Sequence, residues 1–251
     1  MQKILIYIII IVPAILIGLG IAVYIFQEHL IFHPEKLSLK YKFIFDTPFE
    51  EKTFDTLDGN VLSALIFRSE KSKGIVFYHH GNAGSLDSWG KKAIDFTNKG
   101  YDVLMYDYRG YGKSTGNVKN EKMLYADATL IYKELLYDYK ERDIIVYGTS
   151  LGSGIASYIA YNNHPSKLIL ETPYYNFYDV AKFHYPYLPN SLLLHYQFKT
   201  NHFLPKIKGD VYLFHGTEDE MIPFSSSERL AKLSVKITLF TIKDGSHNNL
   251  E

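Results

Sequence analysis

From residue 50 onward the sequence alternates short apolar runs with stretches of helical spacing, and few architectures can absorb that rhythm. The runs 75–78, 103–106, 144–147, 168–170, 211–214 and 237–240 are apolar or aromatic and of strand length. They lack the regular polar alternation of a half-exposed strand, as strands covered on both faces do. An earlier strand is expected over 61–67, after a turn at Asp58, Gly59 and Asn60. Between the runs, Trp89, Ala93 and Phe96 fall on one helical face, as do Leu124, Ala128, Ile131 and Leu135. Ser225 and Glu228 have the spacing of a capping box and predict the start of another helix. The expectation is an α/β chain with a mostly parallel sheet and helices on both faces.

With 251 residues the chain suits one large domain or two small ones and can bury a sizeable core. Its formal net charge is zero and no basic run is interleaved with aromatics, so nucleic acid is not expected as a partner. Cysteine is absent, which excludes disulfides, a cysteine nucleophile and a thiolate metal site.

Residues 4–26 form an unbroken stretch without a charged side chain, long enough as a helix to cross a hydrocarbon core of about 30 Å. It runs directly into Tyr24, Phe26, Gln27 and Glu28 and lacks the short apolar core and small-residue site of a cleaved signal peptide. It is apolar on all faces, unlike a core helix with one apolar stripe. The expected organisation is therefore a transmembrane anchor over 1–28, a connecting segment over 29–49 and a catalytic domain over 50–251. Lys3 lies on one side of the stretch and Lys36, Lys40 and Lys42 on the other, so charge leaves the side of the membrane open.

The chemistry begins at Gly148-Thr149-Ser150-Leu151-Gly152, between the run 144–147 and a helix-like stretch through Ile155, Ala156, Ile159 and Ala160. A serine on such a strand-to-helix turn projects above the sheet, and a Cβ at either glycine would crowd the neighbouring strand and helix. The alternative is a glycine-rich turn whose serine only caps the helix. A serine nucleophile needs a histidine base and a carboxylate to orient it, and these follow later in the chain in this arrangement. Asp219, in His215-Gly216-Thr217-Glu218-Asp219 after the run 211–214, is the expected acid, with Glu218 and Glu220 as competitors. His247, in the turn Asp244-Gly245-Ser246-His247 after the last run, is the expected base. The developing oxyanion needs two backbone donors, assigned to the N–H of Leu151 and, in the loop His80-Gly81-Asn82-Ala83-Gly84, the N–H of Asn82. This chemistry requires neither a metal nor a cofactor. His29 and His33 have metalloprotease spacing, but Leu30 stands where the glutamate belongs. Gly110 to Ser114 fails as a phosphate loop because Asp107 occupies the required glycine position, and Asp107 and Arg109 are expected to organise neighbouring loops.

The ordered series H-G-N-A-G, Asp107 to Ser114, G-T-S-L-G, H-G-T-E-D and G-S-H resembles the α/β-hydrolase superfamily over nearly the whole chain after the anchor. More narrowly, it is similar to small α/β-hydrolase-domain proteins with one N-terminal membrane helix followed by F-Q-x-x-L-I-F-x-P, here residues 26–34. The resemblance implies an eight-stranded, mostly parallel sheet. It also implies hydrolysis of carboxylic ester, thioester or amide bonds through an acyl-enzyme, with the triad Ser150, Asp219 and His247. The family continues into a final helix after its histidine, whereas this sequence stops at Glu251, so weaker support for the His247 loop is expected. An esterase or thioesterase acting on a small-molecule or lipid-like acyl substrate ranks above a serine peptidase or amidase. A catalytically silent, membrane-tethered binding protein is the remaining alternative. Between 170 and 211 lie Tyr174, Tyr175, Phe177, Tyr178, Tyr185, Tyr187 and Phe198, expected either to line a shallow apolar acyl site or to be core.

Overall fold

The structure, a computed structural model, describes residues 2–250, with the side chains of all of these except 2–12 and 16. Met1 and Glu251, which close the expected anchor and domain, lie outside the described residues. The body is an eight-stranded sheet. In chain order its strands are β1 (Phe49–Asp55), β2 (Val61–Phe67), β3 (Ile75–His79), β4 (Asp102–Tyr106), β5 (Ile144–Thr149), β6 (Lys167–Glu171), β7 (Asp210–Gly216) and β8 (Ile237–Ile242). The spatial order is 8-7-6-5-3-4-2-1. All neighbours are parallel except at β2, which runs antiparallel to both β1 and β4.

The continuous apolar runs of the inner strands are explained by two cores, one on each face, whereas β8, expected among them, is an edge strand that leaves Phe240 exposed. Ile75 and Phe77 of β3 point into the larger core, while Val76 and Tyr78 point into the smaller. Leu104 and Tyr106 of β4 are divided from Val103 and Met105 in the same way. The period-2 alternation of a strand thus meets apolar neighbours on both sides. The larger core is closed by α4 (Glu121–Asp138), through Leu124, Ala128, Ile131 and Leu135, and by α5 (Leu151–Asn162), through Ile155, Ala156 and Ile159.

The smaller core is closed by the expected face of Trp89, Ala93 and Phe96. The helix is broken there into α2 (Leu86–Trp89), a tight turn at Gly90–Lys92 and α3 (Ala93–Thr97). A Cβ at Gly90 would lie 2.5 Å from the Phe45 ring, so that ring packs at the break. The capping box expected at Ser225 does not form. Phe224 is already helical, with φ −49° and ψ −33°, and places Ser225 inside the first turn of α8 (Ser225–Ala231). The free amides there are satisfied by backbone: Ser226 N–H donates to Pro223 O and Ser227 N–H to Phe224 O. Strand β1, Phe-Glu-Glu-Lys-Thr-Phe-Asp, was not among the expected runs because it is an edge strand with charges along its length.

Helix α1 (Gln2–Ile31) contains one stretch long and apolar enough to cross a membrane. Its last turns enter the body. Gln27 is buried, and Ile31 and Phe32 join the larger core. The chain then pairs in parallel with the loop after β3: His33 N–H donates to Asn82 O at 2.9 Å and Glu35 N–H to Gly84 O at 2.9 Å.

At the end of β3, His79 and His80 are fully buried. Burial pushes His79 down to about 3 and His80 to about 4. Both imidazoles are uncharged at neutral pH, so the 3.9 Å approach of His80 Nε2 to Asp107 is not an ion pair there. A folded pKa below the unfolded value of about 6.5 stabilises the native state above that pH and is lost as pH falls through the folded pKa. Urea denaturation should therefore report lower stability at pH 4.5 than at pH 7, and His79→Leu should narrow the difference.

Candidate active site

Strand β5 delivers Ser150 to its carboxyl end at the centre of the sheet, and α5 starts at the next residue. Ser150 has φ 50° and ψ −116°, a region that residues with side chains seldom adopt, and its hydroxyl caps nothing. The conformation is held from both sides. Ser150 N–H donates to Glu171 O on β6 at 2.9 Å, and Ser150 O accepts from Ser153 N–H at 2.9 Å. A Cβ at Gly152 would stand 2.1 Å from the His79 carbonyl oxygen, and one at Gly148 would stand 2.5 Å from Gly152 O and 2.7 Å from the Ala156 methyl. These are the crowded approaches that the two glycines predict.

His247 Nε2 lies 3.1 Å from Ser150 Oγ, and His247 Nδ1 lies 2.8 Å from Asp219 Oδ2. The three residues, 97 and 28 positions apart in sequence, thus form one hydrogen-bonded line. With the carboxylate accepting the Nδ1 proton, Nε2 is left as an acceptor facing the serine hydroxyl. Asp219 is buried, while Glu218 and Glu220 are exposed, which separates the expected acid from its competitors.

Asp219 has more partners than a simple triad requires. Its Oδ1 accepts the N–H groups of Met221 and Ile222 at 2.9 and 2.8 Å. Its Oδ2 also faces His215 Nε2 at 3.1 Å. His215 Nε2 is closer still to Ile222 O, at 2.9 Å, and Nδ1 faces the Ser227 hydroxyl at 2.7 Å. Two acceptors at Nε2 assign the proton there, so His215 donates to the carboxylate. Burial alone would raise the Asp219 carboxyl, but the bonds from His215, His247 and the Ile222 N–H outweigh it and hold the group well below the usual carboxylate range. It stays ionised. His215 escaped the sequence reading, although its i, i+4 relation to Asp219 in H-G-T-E-D was the available signal.

The loop carrying His247 is fastened to the loop carrying Asp219. Glu218 N–H donates to Gly245 O at 2.9 Å, Thr217 N–H to Ile242 O at 3.0 Å, and Asp244 N–H to Thr217 Oγ1 at 2.9 Å. A Cβ at Gly216 would lie 2.1 Å from Gly245 O, so the two backbones touch. This clasp holds the His247 loop, for which weaker support was expected.

The N–H groups of Leu151 and Asn82 donate to no acceptor among the described residues. A Cβ at Gly81 would lie 3.8 Å from the Ser150 Cβ, which sets the glycine-rich loop beside the serine. That loop is fixed from behind. The Asn82 carbonyl accepts from Tyr111 Oη at 2.6 Å as well as from His33, and the Asn82 side chain donates to Ile31 O at 3.0 Å.

The remaining candidates fall into structural places. Arg109 forms a bidentate pair with Asp127 and reaches Asp58, and Asp107 accepts the Leu86 N–H, so both tie loops together as expected. Among the aromatics between β6 and β7, Tyr174 and Phe198 are core, whereas Tyr185 and Tyr187 are exposed. A cavity of about 350 Å³ in this segment is lined by Asn176, Tyr178, Asn190, Leu194, Gln197 and Lys199. None of the three aligned residues lines it.

The profile of the family described as serine aminopeptidase, S33, matches residues 70–208. The uncharacterized protein Rv2307c of Mycobacterium tuberculosis is 30% identical over 202 residues, 78% of this chain and 72% of that protein. The lysophosphatidylserine lipase ABHD12 of Danio rerio is 27% identical over 191 residues, 66% of this chain and 49% of that protein. Among solved structures, the Pyrococcus furiosus esterase Pf2001 superposes with a TM-score of 0.67 at 18% identity, over 86% of this chain and 90% of that one, a likeness of fold.

The elbow's tolerance is directly measurable. Gly152→Ala forces a methyl against two backbone carbonyls and should lower stability by about 1–3 kcal/mol or more. Gly209→Ala, whose nearest neighbour would be a carbonyl at 3.5 Å, should change it by less than about 0.5 kcal/mol. Thermal denaturation of both variants against wild type reads the contrast.

Proposed function

Because the chain belongs to the serine aminopeptidase S33 family of the α/β-hydrolase superfamily, we propose that it is a membrane-anchored serine hydrolase cleaving carboxylic ester or thioester bonds. The observation that carries this reading is the line from Ser150 Oγ through His247 to Asp219, at 3.1 and 2.8 Å. The organisation proposed with it is an anchor over 1–28, a connecting segment over 29–49 and a hydrolase domain over 50–251.

Each group has one task. His247 Nε2 takes the Ser150 hydroxyl proton as Oγ bonds to the substrate carbonyl carbon. The ionised Asp219 stabilises the imidazolium that forms. The N–H groups of Leu151 and Asn82 receive the negative oxygen of the tetrahedral intermediate. Collapse breaks the bond to the leaving alkoxide or thiolate, which takes the proton from Nε2 and departs. A water molecule then repeats the sequence on the acyl-enzyme, giving up its proton to Nε2, and the serine recovers its proton as the acid leaves.

A lipid-like acyl substrate is supported by the apolar helix α1 and by the lipase name of one relative. A second reading, cleavage of amides, is supported by the description of the family as aminopeptidases. The leaving group distinguishes them, so a panel of acyl esters, acyl-thioesters and aminoacyl amides decides between the two. The wild type should react with a fluorophosphonate probe, and Ser150→Ala should abolish labelling and lower kcat by about 10⁴-fold or more. A well-folded wild type that is never labelled would be a binding protein, not an enzyme.

A further inference from the structure

The segment between β6 and β7 contains α6 (Phe177–His184) and α7 (Asn190–Leu193). It leaves Phe183, Tyr185, Tyr187 and Leu192 exposed at 50%, 53%, 98% and 77%. So many bare apolar side chains in one short segment mark an interaction surface. The same segment leans on α1. Leu193 Cδ2 lies 3.5 Å from where a Cβ on Gly20 would stand, and the His195 ring meets Tyr24 edge-on at 3.8 Å. The Gln27 amide donates to Leu193 O at 3.2 Å and accepts from His195 N–H at 2.9 Å. Residues 20, 24 and 27 are one helical turn apart, so a single face of α1 makes all of these contacts.

The depth of those contacts decides what covers the exposed side chains. At about 1.5 Å per residue, roughly 20 residues cross a hydrocarbon core of about 30 Å, so a span that starts at Ile4 reaches the far boundary near Val23. Gly20 then lies just inside the hydrocarbon and Tyr24 at its edge. The segment packed against them sits at the same level, where tyrosine and other aromatics are favoured. We propose that α6, α7 and their connection form a second membrane contact, with Tyr187 and Leu192 inserted in the bilayer interface beside α1 and the lipid surface as partner. The proposal rests on the reading of α1 as a spanning helix. It deepens the functional reading because His184 Nε2 lies 2.8 Å from Met221 O, two residues beyond Asp219. The inserted segment therefore borders the acid loop and brings the rim of the site to the acyl chains.

The absence of cysteine allows single cysteines to be introduced with no other change. Full-length protein carrying Tyr187→Cys or Leu192→Cys is labelled with a nitrobenzoxadiazole dye and reconstituted in phosphatidylcholine vesicles, with and without doxyl-labelled lipid. Ile17→Cys reports on α1. Leu57→Cys and Tyr137→Cys, at positions 102% and 83% exposed on other elements, report on water-facing surface. The expected result is blue-shifted emission and strong loss of fluorescence to doxyl lipid at 17, 187 and 192, with neither at 57 and 137. Quenching at 17 without quenching at 187 and 192 overturns the second contact and leaves the spanning helix standing. No quenching at 17 overturns the spanning helix and the proposal with it, and equal quenching at all five positions overturns the proposal as non-specific adsorption.

Discussion

The backbone of Ser150 sits where a residue with a side chain stays only if its surroundings forbid every alternative. What forbids them is a three-way crossing of β3, β5 and α5, in which Gly152 lies against the His79 and His80 carbonyls and Gly148 against Gly152. The strain, on the order of 1–3 kcal/mol for such a conformation, is offset by the packing of the sheet's central strands. The same crossing aims two things at once. It turns the serine hydroxyl up from the carboxyl end of β5, and it fixes the point at which the glycine-rich loop leaves β3.

A second close approach of backbones does the corresponding work at the other edge of the site. Gly216 and Gly245 touch, which locks the loop after β7 to the loop after β8 and so fixes Asp219 relative to His247. Charge follows geometry there. The carboxylate is surrounded by two amide N–H groups and two imidazoles, and those four donors keep it anionic despite its burial. An acid held in this way orients the His247 ring firmly, and it fixes which nitrogen faces the serine.

What was legible in the sequence was whatever local chemistry dictates. Inner strands covered on both faces must be apolar throughout, which made β3 to β7 readable, and apolar runs also announced the antiparallel β2 and the edge strand β8. The elbow glycines, the Ser150–His247–Asp219 alignment and the choice of Asp219 over Glu218 and Glu220 followed from motif and order, and the observed geometry brings these residues together. What was not legible depends on distant partners. The charged edge strand β1 has no apolar pattern to announce it. The helix at residues 86–97 is broken by packing from Phe45, some forty residues earlier in the chain. The Ser225–Glu228 spacing failed because Phe224 had already entered the helix, and only the path of the chain from Pro223 decides that. His215 looked like one more histidine until folding set it against Asp219.

The pairing of residues 33–35 with 82–84 joins the end of α1 to the glycine-rich loop beside Ser150. Ile31, the last residue of that helix, receives the Asn82 side chain, so the hydrogen-bonded path from helix to loop is a single link long. An N-terminal helix of this kind is not an interchangeable module. Grafting a foreign N-terminal segment onto the chain would have to preserve the register from Gly20 through Glu35.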